Sequence, residues 1–463
     1  MSINSFDNYP LTWKPEKEKL KPPYYKALAE DLESRIKCGI LKPGAKLPPQ
    51  REIADYLDLN YTTITRVYEI CKNKGLVYGA AGKGTFVSPH SSENITITAS
   101  NLTDGCIEMG AVNGFSEYTE LTERATRAVV EKGYLRNLYE YTHPAGQPHQ
   151  LAAGVRWMEQ MGVHTDNEHT AIFAGAQNAI TVALVSLFSP GDKIATDQYT
   201  YSNLIELAKL LHIVLVPIRG DENGMCPDDL KRQCSINKMK GIYLMPSCAN
   251  PTTIVISKER REELAAVIRK YRLILIEDDV SAWMPASIGN MLPSMFDLLA
   301  GESIYICGMS KNICPGLRIA YMAFAECFRQ EILHGLFNVN VKTSSLDAEI
   351  ITELILNGDA YKIAEHKRSL TERACALFAK YFPECWKEHG KISYYQWMPI
   401  EIEKPFLDIE EDFISQGIRV YHSERFAVAK NQDHNFLRVT LCSAGSMRKL
   451  EKGLQILKDY LSQ

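Results

Sequence analysis

Lys311 lies in the run Gly308-Met-Ser-Lys311-Asn-Ile-Cys-Pro315-Gly316-Leu-Arg318. A lysine amine can condense with an aldehyde to form a Schiff base, the chemistry by which a chain captures pyridoxal 5'-phosphate. Arg318, seven positions on, can fork onto the phosphate of such a cofactor. Ser310 offers a short hydroxyl to the same phosphate. Pro315 and Gly316 turn the chain between the two cations.

The elements that must position this pair lie upstream. Leu273-Ile-Leu-Ile-Glu277-Asp278-Asp279 is an apolar run ending in carboxylates. It reads as a buried parallel strand with an acid at its carboxyl end, where ligand sites of α/β sheets form. A carboxylate there, Asp278, can hold a pyridine nitrogen protonated and make the ring an electron sink. Ile242 to Thr252 reads as a second strand running into the turn Asn250-Pro251, with Asn250 placed to donate to a phenolic oxygen. Ala171-Ile-Phe-Ala-Gly175-Ala176-Gln177 reads as strand, glycine turn and helix start. The free amides at Ala176 and Gln177 suit a phosphate. Any one of these segments is more often an ordinary strand end or turn, but four in this order point to one site.

From about Asp104 onward the chain resembles the fold-type I pyridoxal-phosphate enzymes, specifically the class I/II aminotransferases. The resemblance implies an α/β fold with a large and a small domain. It assigns the cofactor lysine to Lys311, the phosphate contact to Arg318, the phenolic-oxygen contact to Asn250 and the pyridine-nitrogen partner to Asp278. The tyrosine of Thr196-Asp-Gln-Tyr-Thr-Tyr201 matches the family's ring-stacking tyrosine, Tyr201. Phe436-Leu437-Arg438-Val439-Thr440 matches the strand whose arginine binds the substrate carboxylate, so Arg438 takes that role. It also implies a homodimer.

Two positions depart from the family pattern. A tyrosine usually follows the aspartate closely and bonds the phenolic oxygen; here Val280 and Ser281 stand. The pattern Asn-Pro-Thr-Gly reads Asn250-Pro251-Thr252-Thr253. One lost hydrogen bond is worth about 1 kcal/mol. Cofactor binding is therefore expected to persist, with transamination more affected.

The first ninety residues carry a different signal. Tyr25 to Ile36 has apolar spacings of three and four, an amphipathic helix that Gly39 stops. After the turn-rich Lys42-Pro-Gly-Ala-Lys-Leu-Pro, Gln50 to Leu57 reads as a second helix. Asn60 is a good N-cap for a third. In that third helix Ile64, Val67, Tyr68 and Cys71 face a core. Thr62, Thr63, Thr65 and Arg66 then fall on the other side, near the N-terminus, where hydroxyls and a guanidinium suit a major groove and its phosphates. Two short strands, Leu76-Val-Tyr and Thr85-Phe-Val, flank a Gly79–Gly84 tip carrying Lys83. Leu47-Pro-Pro-Gln-Arg51-Glu-Ile-Ala54, Thr62-Thr-Ile-Thr-Arg66-Val-Tyr68 and Gly82-Lys-Gly-Thr85-Phe-Val87 resemble the GntR-type winged helix-turn-helix. Pro49 stands where that family usually has a small polar residue. A GntR head on an aminotransferase body is the MocR arrangement, and the chain resembles that subfamily throughout.

The charge distribution agrees. The 463 residues carry a net −4, but residues 1–90 hold 14 Lys+Arg against 10 Asp+Glu, a net +4, leaving −8 for the rest. A basic head on an acidic body suits a DNA-binding module beside a small-molecule domain. The expected organisation is a winged helix-turn-helix over 1–88, a linker over 89–105 in which Ile95-Thr-Ile-Thr could be a short extended piece, and a body over 106–463. Within the body the large domain is expected over about 150–340. No signal-peptide core and no apolar run near 18 residues is present, so no membrane partner and a cytoplasmic location are expected. The 12 cysteines and 11 histidines form no metal spacing. Met447, Leu450, Leu454, Leu457 and Leu461 mark a core-facing terminal helix. The expected function is a pyridoxal-phosphate-dependent regulator that binds a double-stranded DNA operator and responds to a small amine or amino acid, or to pyridoxal phosphate itself. The alternative is a working aminotransferase with an appended regulatory head.

Overall fold

The structure is a computed structural model. It describes residues 12–17, 20–37, 40–42, 44–73, 76–80, 84–88, 106–115, 117, 119–285, 291–299, 301–402, 404–429 and 435–462. The chain divides into two compact units, 1–98 and 99–463. The expected linker, including Ile95–Thr98, lies outside the described residues, as do Gly39 and Lys83.

In the first unit, α1 (Tyr24–Lys37), α2 (Gln50–Leu57) and α3 (Tyr61–Asn73) are followed by the antiparallel pair β1 (Val77–Ala80) and β2 (Gly84–Val87). The amphipathic spacing is realised: Ile53, Ala54, Leu57, Ile64, Val67, Tyr68 and Cys71 are all buried in one core with Leu28 and Leu32 of α1. Asn60 caps α3, its Oδ1 accepting from the Thr62 amide at 3.0 Å. Asp58 ends α2 in a left-handed conformation. Gly79 and Ala80, expected in the wing tip, belong to β1.

The second unit is built on a seven-stranded sheet. Its strands are β3 (Thr170–Phe173), β4 (Lys193–Asp197), β5 (Val214–Ile218), β6 (Met239–Leu244), β7 (Ile274–Asp278), β8 (Ser303–Gly308) and β9 (Ala320–Phe324), in the order β3-β9-β8-β7-β6-β4-β5. β4 to β8 run parallel, and β9 is antiparallel to both its neighbours. The central strands are apolar on both faces, as crossover helices on each side require. Those helices include α4 (Ala176–Leu187) and α5 (Ser202–Leu210); the four-residue α6 (Met309–Asn312) instead begins the turn from β8 into its antiparallel neighbour β9. The long helix α7 (Asp359–Tyr381) leads to a three-stranded antiparallel sheet of β10 (Tyr395–Ile400), β11 (Tyr421–His422) and β12 (Asn435–Thr440), closed by α8 (Met447–Leu461). In α8, Leu450, Leu454 and Leu457 are buried. Among the described residues, no helix is long and apolar enough to cross a membrane.

Candidate functional site

The carboxyl ends of the parallel strands converge on one place. β7 ends at Asp278, which is 2 % exposed. β8 delivers Lys311 through the short α6. Tyr201 opens α5 after β4, and Asn250 follows β6. Gly175 ends the turn from β3 into α4, whose first residues are Ala176 and Gln177. This is the crevice at strand ends where α/β sheets hold ligands.

Asp278 receives a hydrogen bond from the Tyr243 hydroxyl on Oδ2, while its buried Oδ1 accepts none among the described residues. Burial raises its pKa from 3.8 to about 6, with Asp279 adding and Tyr243 opposing. A buried carboxylate oxygen without a donor is the acceptor a protonated ring nitrogen requires. Tyr201 is likewise pushed up to about 12 by burial, with Asp278 adding, so its phenol is neutral.

Arg318 adopts a left-handed φ of 52°, uncommon for a side chain of its size. It donates to Ser310 Oγ at 3.0 Å and lies against Gly175, where an added Cβ would meet the guanidinium at 2.5 Å. Only glycine, itself at φ 85°, admits the arginine so close to the N-terminus of α4. Ser310, Arg318 and the first amides of α4 thus form one anion-binding corner. Gln177 Oε1, also buried, accepts no hydrogen bond among the described residues.

Lys311 donates its amine to the Val112 carbonyl. Burial lowers its pKa, and the guanidiniums of Arg438 and Arg318 lower it further. This favours the neutral, nucleophilic amine.

Arg438 comes from β12, 3 % exposed. It donates to Asn250 Oδ1 at 2.8 Å and to the Gly110 carbonyl at 2.7 Å. The first contact orients the Asn250 amide so that its NH2 end remains the donor. Phe426, Tyr395 and Tyr421 surround the guanidinium, with ring centroids 4.5, 5.5 and 5.9 Å away. Burial lowers its pKa to about 10, so it stays charged at neutral pH. It forms no ion pair among the described residues.

Sequence reasoning missed the strap that crosses these groups. Residues 107–108 pair with 418–419, and the Glu108 carboxylate accepts from the amides of Gly110 and Ala111 at 2.8 Å each. The Gly110 carbonyl also accepts from Thr440 Oγ1 at 2.8 Å, and the Ala111 carbonyl from Ser443 Oγ at 2.6 Å. Backbone carbonyls carry no sequence signal, so no motif could have found them. Val280, where the family has a tyrosine nearby, packs on Gly308: a Cβ there would lie 2.7 Å from Val280 Cγ1. Thr253, in the family's glycine position, takes a left-handed φ of 62° and is buried.

In the first unit, Arg51, Thr62 and Arg66 are exposed. Arg66 stacks 3.8 Å over the Tyr25 ring and Arg51 lies 5.9 Å from that of Tyr61. Thr63 and Thr65 are half-buried. Thr65 Oγ1 is engaged by Gln50 Oε1 at 3.0 Å and the Tyr61 carbonyl at 3.1 Å, so it braces α2 against α3. Trp13, a lone tryptophan in a polar stretch outside the recognised motif, is fully buried in this core and donates to Asp31 at 2.8 Å.

Comparison with known proteins assigns both units. Residues 24–87 match the family described as bacterial regulatory proteins, gntR family, and residues 111–457 match aminotransferase class I and II. The chain belongs to the GntR-family transcriptional regulators that carry an aminotransferase-like domain. The uncharacterized HTH-type transcriptional regulator YdeF of Bacillus subtilis (strain 168) is 36% identical over 462 residues, 100% of this chain and 99% of that one. The uncharacterized HTH-type transcriptional regulator YjiR of Escherichia coli (strain K12) is 21% identical, covering 90% and 94%. The body of this GntR-family regulator has the fold of Pyrococcus horikoshii kynurenine aminotransferase (TM-score 0.71, 19% identity, 78% of this chain and 91% of that chain). It is also similar to LysN, the alpha-aminoadipate aminotransferase of Thermus thermophilus (TM-score 0.69, 19% identity, 78% and 92%). The fold-type I architecture with an N-terminal winged helix-turn-helix is thereby shown.

Proposed function

We propose that this regulator binds pyridoxal 5'-phosphate in its body and uses it to sense an amine or amino-acid effector that changes how the head engages a double-stranded DNA operator. Lys311 would carry the cofactor. Ser310, Arg318, Ala176 and Gln177 would hold its phosphate, Asp278 its ring nitrogen, Asn250 its phenolic oxygen and Tyr201 its ring face. When bound, pyridoxal phosphate supplies an aldehyde that condenses with amines and a ring that accepts electrons. The residues fit that group: Asp278 Oδ1 lacks a donor, and Arg318, Ser310 and the α4 N-terminus form an anion corner.

The observation that carries the effector reading is Arg438. A buried, charged guanidinium satisfied only by neutral oxygens is poised for a carboxylate, because burying a charge without a counter-ion is costly. An effector carboxylate there would fix the ligand's amine near Lys311. Lys311, whose pKa burial lowers, would accept or release a proton at Nζ.

In the head, Arg51, Thr62, Thr63, Thr65, Arg66 and Lys83 are the proposed DNA contacts, Arg66 reading a base and Lys83 a phosphate. Exposed apolar residues in neighbouring segments, Tyr139 and Tyr141 at 68% and 88% and Val339 and Val341 at 43% and 44%, support a homodimer. Lys342 joins these segments through the Glu140 carbonyl at 2.9 Å. Operator binding implies a cytoplasmic location.

The complete set of Lys311, Asp278, Asn250 and Arg318 favours a second reading, a working aminotransferase. Val280 and Ser281 at the usual tyrosine position favour sensing. One experiment separates them: operator binding and turnover with a keto-acid acceptor, measured on the cofactor-loaded protein across a panel of amino acids. Sensing predicts an amine that shifts operator affinity with little turnover. Enzyme-like turnover without any shift in DNA binding would discard the sensing reading.

A further inference from the structure

Lys367 on α7 is 2 % exposed, and its ammonium ion-pairs with no carboxylate among the described residues. It donates instead to the carbonyls of Ile313 at 2.7 Å and Lys311 at 3.3 Å. The Tyr394 hydroxyl, just before β10, donates to the same Lys311 carbonyl at 3.0 Å. These carbonyls lie at the C-terminal end of α6, where a short helix leaves its last acceptors without intrahelical partners. Burial pushes the Lys367 pKa down to about 8, the mark of a cation kept from water for the contacts it makes.

We propose that Lys367, assisted by Tyr394, is a positioning residue that clamps the backbone of Lys311 to the C-terminal layer and so sets the reach of the Lys311 amine. The clamp's purpose rests on the reading that Lys311 carries pyridoxal phosphate. The side chain of Lys367 contacts neither the anion corner nor Arg438; it acts only through the α6 carbonyls. Because α7 and the approach to β10 both hold this loop, a shift of that layer would be felt at Lys311 without touching the ligand.

The test uses the full-length chain and two readouts. One is backbone hydrogen exchange over residues 309–314 without cofactor. The other is the pH midpoint of the visible absorbance band after pyridoxal phosphate is added. Lys367→Met is expected to speed exchange at this loop about tenfold or more and to displace the midpoint. Tyr394→Phe should move both in the same direction by less, and it decides the matter should Lys367→Met fail to fold. Ala364→Gly loosens the same helix without touching the carbonyls. It should lower Tm while leaving both readouts unchanged. Unchanged exchange in the clamp variants, or the same changes in Ala364→Gly, would overturn the proposal. If the wild-type chain forms no visible band, the pyridoxal reading fails separately, and the exchange measurement still decides whether the clamp exists.

Discussion

Arg51, Thr62 and Arg66 stand exposed on two adjacent helices, within sixteen residues of one another, while Asp278 and Arg438 are 2 % and 3 % exposed and lie 160 residues apart in the chain. The head keeps Arg51, Thr62 and Arg66 in water, where losing one disturbs little else. The body buries Asp278 and Arg438, where one carboxylate oxygen lacks a partner and the guanidinium borrows neutral ones. A surface that must accept a long, charged duplex can leave its cations solvated. A pocket for a small ligand gains selectivity by withholding partners until that ligand arrives.

The contrast makes predictions that differ in size. The largest concerns Lys311→Ala. It should abolish the borohydride-stable pyridoxal adduct, read by mass spectrometry, while operator binding in the absence of effector persists. An adduct retained at full yield would mean that another lysine carries the cofactor.

Asp278→Asn comes next, because it relieves a buried charge. The folded chain holds a proton on Asp278 up to about pH 6, whereas the unfolded chain releases it near 3.8. Stability therefore falls as pH rises through that window and the loss is complete above it. The interval corresponds to roughly 3 kcal/mol. Thermal melts of the cofactor-free variant should show higher stability than wild type at pH 7.5, with the advantage vanishing by about pH 4. Its retention of pyridoxal phosphate, measured by dialysis, should weaken. A variant less stable than wild type at pH 7.5 would show that Asp278 is compensated by something other than Tyr243.

Arg438→Ala should cost about 1.5–3 kcal/mol in effector binding, a ten- to hundredfold weaker response by titration. Operator affinity without effector should stay as in wild type. Equal effector affinity in the variant would remove the carboxylate from this part of the pocket. Arg66→Ala should weaken operator binding by about 1–3 kcal/mol in a gel-shift or anisotropy assay and leave the visible band of the body untouched. A change confined to the band would reverse the division of labour between the two units.

These regions also differ in how far the sequence discloses them. The head was legible because its elements are local: the apolar spacing of Ile64, Val67, Tyr68 and Cys71 and the Asn60 cap all act within one or two turns. Trp13 escaped because a single tryptophan has no period. The seven-stranded frame was legible in outline, since Ile274–Asp278 and its neighbours are continuous apolar runs. The side chains of the candidate site were named from motif resemblance, and the structure brings Lys311, Asp278, Asn250, Tyr201, Arg318 and Arg438 to the same strand ends. What no motif could express is the backbone that meets them. The Val112 and Gly110 carbonyls, the second duty of Thr65, and the burial of Lys367 arise from contacts between distant segments.

The strap through Gly110 and Val112 makes any ligand of this pocket a competitor. Lys311 and Arg438 give hydrogen bonds to that strap, so on the proposed reading a ligand that engages either group at the same atoms competes with a carbonyl of the chain's own backbone. On that reading the strap would act as a tethered competitor whose local concentration does not dilute, and the apparent affinity for ligand would be reduced by the fraction of time it stays in place. By linkage, whatever factor DNA imposes on ligand affinity, ligand must impose on DNA affinity.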